Sequence, residues 1–189
     1  YHEYMLECFA RHPFLWSTYV WNMFDFAADA RDQGGEPGMN HKGLVTFDRK
    51  IKKDSFYIYK AWWSKEPFVH LCGKRYKYRA ENVTNVTVYS NQRQVSLYQN
   101  GQLVETKQGQ HAFHFKLRME KENHLEARAG TLSDQAVIYK AAQPRPEYKV
   151  KKDGTYDKVS GILLDSFAKA KYDFVRYSEL DLKGVDKAV

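Results

Sequence analysis

The apolar positions of the chain change period near residue 66. Before it, Tyr4, Met5, Cys8 and Phe9 recur at helical spacing and predict a helix over Tyr1 to Arg11. His12 and Pro13 end that helix, because a residue preceding proline avoids the helical region. Phe14 to Phe26 is aromatic and β-branched without strict alternation, the pattern of a strand buried on both faces. A long polar loop rich in Gly, Asp and Asn follows from Asp25, and apolar order returns at Leu44. Asp54 then reads as the cap of a second helix running to Ser64 and carrying Phe56, Tyr57, Tyr59, Trp62 and Trp63. Helix, strand, long loop and helix together read as the last part of a repeating α/β unit.

Beyond Pro67 the period shortens to two. Seven runs, from "FVHLCGKRYKY" to "QAVIYKA", are separated by turn residues. Asn100–Gly101, between "VSLYQ" and "QLVE", predicts a type I′ hairpin. Seven short strands at this spacing predict an immunoglobulin-like antiparallel β-sandwich. The expected organisation is an α/β part over residues 1–66, the sandwich over 67–142, and a tail over 143–189. The tail holds one amphipathic segment, Val159 to Arg176, and "AQPRPEY" links it to the sandwich.

Composition narrows the class. Of the 189 residues 43% are hydrophobic and 15% aromatic, which supports a packed core. The apolar runs fall short of the roughly 20 residues needed to cross a bilayer, and "YHEYMLECF" lacks the basic head of a signal peptide. Cys8 and Cys72 lie too far apart in the chain to suggest a disulfide framework. A net charge of +7 raises the question of nucleic acid. The excess sits mainly between Pro67 and Ala142, partly as "GKRYKYR" from Gly73 to Arg79. Lys and Arg alternating with Tyr also describe a half-exposed edge strand, so no nucleic-acid partner is expected. His41, His111 and His114 make no metal-ligand spacing with Cys or acidic residues, so no metal is expected. "NVT" at Asn82 and Asn85 matches a glycosylation sequon, but Val and Thr alternating along a strand account for it better.

"YVWNMFDFAADARD", "PGMNHKGLVTFDRK" and "DSFYIYKAWW" closely resemble glycoside hydrolase family 2, the bacterial β-galactosidases and β-glucuronidases. The resemblance runs from about Tyr1 to Ala142 and is most specific over Trp16 to Trp63. It implies the C-terminal end of a (β/α)8 barrel followed by an immunoglobulin-like sandwich. Tyr19 to Phe24 would be the eighth strand, and the polar stretch the last βα loop, beside the sugar pocket. The family's two catalytic glutamates lie on earlier strands, and Glu3 and Glu7 fall too late to stand for either. No catalytic residue is therefore assigned. The implied substrate-binding residues are Trp21 as the floor of the pocket and the Asn40–Lys42 pair toward a sugar carboxylate. Asn22 and Asp25 either bind sugar hydroxyls or structure the loop. The implied partners are a β-galactoside or β-glucuronide, and another chain or the remaining barrel segment. No cofactor is expected, and the location would be a bacterial periplasm or cytoplasm. The alternative is a non-catalytic carbohydrate-binding sandwich module.

Overall fold

The structure, a computed structural model, describes residues 1–33 and 36–148. The expected amphipathic segment Val159 to Arg176 lies outside them. Helix α1 (His2–Arg11) is followed by a hairpin of β1 (Phe26–Gln33) and β2 (Glu36–Asn40), then helix α2 (Asp54–Trp63). Eight further strands follow: β3 (Val69–Leu71), β4 (Tyr78–Arg79), β5 (Val83–Ser90), β6 (Gln94–Gln99), β7 (Gln102–Gln108), β8 (His111–Arg118), β9 (Glu122–Ala129) and β10 (Leu132–Lys140). A short 3-10 turn closes the described chain at Pro146–Tyr148. No described helix is long and apolar enough to cross a membrane.

The last eight strands form two sheets, β3-β5-β8 and β4-β10-β9-β6-β7. The first strand of the sandwich is split between them. Its β3 part pairs antiparallel with β5, and its β4 part pairs parallel with β10. Alternation supplies the core between the sheets: Val86, Val88, Val95, Leu97, Phe113, Phe115, Leu117, Leu125, Ala127 and Ile138 are all nearly inaccessible. Burying each large apolar side chain contributes about 1.5–3 kcal/mol. Among the described residues, Asn123 is the one fully buried side-chain amide, and its hydrogen-bonding groups are satisfied. Its Nδ2 donates to Glu120 O and Ile138 O, and its Oδ1 accepts from Gln99 Nε2 and the Glu120 amide. Asn100 and Gly101 both take positive φ, 50° and 80°, as a type I′ turn requires.

Four expectations change, the last of them at Asp54 below. Phe14 to Val20 forms no strand and is mostly exposed, with Phe14 at 76%, Trp16 at 95% and Tyr19 at 89%, while Val20 packs partly buried against Leu6, Leu44, Ile58 and Tyr59. A strand buried on both faces needs neighbours on both sides, and among the described residues this stretch pairs with no strand. The stretch after Asp25 is a hairpin rather than a polar loop. Within "GKRYKYR" only Tyr78 and Arg79 form a strand. Arg79 points inward, 4% exposed, donating to Gly73 O, Tyr76 O, Thr84 Oγ1 and Asn85 O. A cation spent this way is unavailable to phosphates.

Helix α2 covers the outer face of the β3-β5-β8 sheet. His111 Nδ1 donates to Ala61 O and its ring stacks on Trp62, while Asn91 Nδ2 donates to Ser64 O and Glu66 O. From α1, Glu3 accepts from Tyr89 and contacts His114 Nε2 at 3.1 Å. Asp54 does not cap its own helix, since it is the first helical residue and its N-cap is Lys53. Its carboxylate accepts instead from His70 Nε2 and the Gly73 amide. Burial raises its affinity for a proton, but the His70 and Gly73 hydrogen bonds and the charges of His70 and Arg75 outweigh this and hold the carboxyl below its usual range. A depressed folded value stabilises above the unfolded value near ~3.9 and loses that contribution as pH falls through the folded one. Asp54→Asn should therefore lower stability at pH 7 and narrow the gap to wild type below about pH 4. Urea midpoints at pH 3 and pH 7 check this. An equal loss at both would show that the charge is not the source.

Candidate functional site

The five binding candidates gather where two short backbone segments meet. Residues 22–25 run beside 42–45, joined by Leu44 N–H to Asn22 O (3.0 Å), Val45 N–H to Met23 O (3.0 Å) and Asp25 N–H to Val45 O (2.9 Å). The pairing is parallel, through a single bridge between Phe24 and Val45. This is what remains of the predicted strand. Gly43 makes the approach possible, because a Cβ there would lie 2.0 Å from the Asp25 nitrogen.

Asn22 turns its Oδ1 onto the Phe24 amide at 3.0 Å, a local bond that shapes the bend. The Trp21–Asn22 peptide is cis. Trp21 is 69% exposed and meets the Phe26 ring edge-on. Asp25 is only 2% exposed, and its Oδ1 accepts from the Gly43 amide (2.9 Å) and from Lys53 Nζ (2.6 Å). Its carboxylate is committed to the loop rather than open to a ligand. Asn40 is also buried, with Oδ1 accepting from the Lys42 amide at 3.0 Å. Lys42 is exposed.

A cleft of about 600 Å3 opens beside this bend. Tyr1, His2, Trp21, His41, Lys42 and Lys53 line it, so Trp21 and Lys42 share one space. His2 Nδ1 meets Tyr59 OH at 3.0 Å, and burial pushes this imidazole below its ordinary value. His41 contacts Glu36 (2.9 Å) and Asp25 (3.6 Å), tying the hairpin to the bend. The cleft therefore offers an indole face, the ammonium groups of Lys42 and Lys53, and imidazoles, with no carboxylate among its lining residues. It can bind an anion and an apolar ring face; it cannot supply paired carboxyl groups.

Sequence reasoning missed Lys53, His41 and Gly43. Lys53 sits in the ordinary run "IKKD", where nothing marks its partner. Gly43 was the readable signal: an isolated glycine at the edge of an apolar run often marks a close backbone approach. His70 was also passed over. Among the described residues, Asp54, His70 and Cys72 place potential ligand atoms within 4.8 Å of one another. That group is already satisfied by the Asp54 bonds, by Tyr57 stacked 3.6 Å from His70, and by Asp134 Oδ2 at 3.7 Å. Burial pushes the Cys72 thiol far up, against the thiolate that a metal requires.

Comparison with known proteins gives a consistent picture. No family model matches the chain. It is 46% identical over 102 residues to a β-glucuronidase of Bacteroides fragilis, covering 53% of this chain and 15% of that protein. Among solved structures, an FMN-binding β-glucuronidase from Faecalibacterium prausnitzii L2-6 superposes with a TM-score of 0.77 at 45% identity. That match covers 79% of this chain and 24% of the other. A candidate β-galactosidase of Bacteroides fragilis gives 0.69 at 37% identity, covering 76% and 23%. The chain thus spans about a seventh of the curated relative and about a quarter of the two solved chains.

Proposed function

We propose that this chain, which belongs with the β-glucuronidases and β-galactosidases of glycoside hydrolase family 2, forms one wall of the sugar pocket of a retaining glycosidase. Residues 1–66 close the catalytic barrel in this reading and residues 67–142 are the accessory sandwich. Trp21 lies under the apolar face of the sugar. Asn40 sets the turn that presents Lys42 to the C6 substituent. Retaining hydrolysis needs a nucleophile and an acid/base carboxyl roughly 5–5.5 Å apart. The cleft's lining holds no carboxylate, so in this reading that pair is supplied by residues other than those lining the cleft.

The observation that carries this reading is the placement of exposed Lys42 in one cleft with Trp21. A charged hydrogen bond to a carboxylate contributes roughly 1.5–3 kcal/mol. In the whole protein, Lys42→Ala should then cut kcat/KM for an aryl β-glucuronide about 10- to 150-fold and affect an aryl β-galactoside much less. Steady-state kinetics on both substrates decides. Equal losses would mean that Lys42 holds the loop and reads no charge, and a wild type that prefers the galactoside would move the assignment to β-galactosidase.

A further inference from the structure

We infer that the Asp25–Lys53 ion pair is a positioning device that aims Lys42, and so helps determine selectivity for a carboxylate-bearing sugar; this rests on the pocket reading above. The geometry is specific to the peptide groups around Lys42. The Lys42 amide donates to Asn40 Oδ1 at 3.0 Å. The carbonyl before it, His41 O, accepts from Lys53 Nζ at 2.9 Å. The amide after it, Gly43 N–H, donates to Asp25 Oδ1 at 2.9 Å. Asp25 and Lys53 are bonded to each other at 2.6 Å. Three of the four backbone groups from His41 O to the Gly43 amide are thus held by side chains, two of them by the two members of one ion pair.

Lys53 reaches the cleft wall, but its ammonium is held by Asp25 Oδ1 and His41 O and so is committed to the bend. The side chains of Asp25 and Lys53 are 3% and 19% exposed, whereas Lys42 is exposed to the cleft. A buried, bonded pair keeps its geometry, and its charges cancel locally. The Asp25 carboxylate therefore does not repel an incoming carboxylate, and Lys42 remains the ammonium that meets it. Lys53 carries a second anchor, because its own amide donates to Leu44 O at 2.8 Å just before α2 begins. Helix α2 rests on the sandwich, so the turn bearing Lys42 is referenced to a rigid body.

The test is a mutant cycle in the whole protein. The readout is the ratio of kcat/KM for an aryl β-glucuronide to that for an aryl β-galactoside. Lys53→Met alone would strand a buried carboxylate, so the informative variant is Asp25→Asn with Lys53→Met. Asp25→Asn alone, which keeps an oxygen for the Gly43 amide, serves if the double variant does not fold. The double variant should lower the ratio about as far as Lys42→Ala does, roughly tenfold or more. The loss should appear mainly in KM for the glucuronide. Adding Lys42→Ala to it should change the ratio no further. A wild-type ratio in the double variant, with a lowered one in Lys42→Ala, overturns the positioning role and leaves the pocket reading standing. Multiplicative losses in the triple variant also overturn it, since the pair would then act independently of Lys42. An unchanged ratio in Lys42→Ala itself removes the pocket reading and this inference with it.

Discussion

Replacing Gly43 with alanine is expected to open the bend that carries Lys42. The added Cβ would stand 2.0 Å from the Asp25 nitrogen and 2.1 Å from the Phe24 carbonyl carbon. Both are backbone atoms, so no side chain can rotate away. Relief requires residues 22–25 and 42–45 to separate, which breaks the Gly43 amide bond to Asp25 and the neighbouring parallel bonds. Overpacking a well-filled site typically costs roughly 1–3 kcal/mol, and a collision confined to backbone belongs at or beyond the upper end. Gly101→Ala is the comparison. Its Cβ meets nothing within 4 Å, and only its φ of +80° resists, at roughly 1–2 kcal/mol. Urea midpoints with hydrogen exchange at the Leu44 and Val45 amides distinguish the two. An unchanged midpoint and retained protection in Gly43→Ala would show that the bend tolerates a side chain.

The sandwich was readable because its information is local. Alternation in "VTVYS" and "FHFKLRM" places Val86, Val88, Phe113, Phe115 and Leu117 inward whatever lies outside, and Asn-Gly fixes a turn by its own φ preferences. The helix over Tyr1 to Arg11 was readable for the same reason. The α/β part was less so. Phe14 to Val20 carries the composition of a buried strand, yet burial depends on neighbours, which no window of sequence contains. The polar composition after Asp25 read as a loop, although β1 and β2 pair there through an irregular register. Site residues followed the same division. Trp21, Asn40 and Lys42 are candidates through resemblance alone, and the structure brings Trp21 and Lys42 to one cleft. The role of Asp25 required knowing that Lys53, 28 residues later, lies 2.6 Å away. That contact is made by the fold and leaves no periodic trace.

Phe115→Ala is expected to destabilise the chain by about 3–5 kcal/mol, the range for truncating a buried phenylalanine. The ring is 1% exposed and lies in the core between the sheets, on a strand paired through its whole length with β5. Against the roughly 5–15 kcal/mol that holds a typical domain, this is a large share. The effect should reach the candidate site. Strand β8 begins at His111, which holds Ala61 and Trp62 of α2, and α2 begins directly after Lys53. Loosening the sheet therefore loosens the support of the Asp25–Lys53 pair. Hydrogen exchange should show the Ile58 amide of α2 losing protection in parallel with β8. Trp16→Ala is the contrast: a larger side chain, 95% exposed, whose removal should change stability by no more than about 0.5 kcal/mol. Unchanged protection at Ile58 while β8 opens would show that helix and sandwich fold as separate units. A loss for Trp16→Ala as large as for Phe115→Ala would mean that the exposed aromatic stretch packs in solution, and that the bend at Trp21 is held from that side.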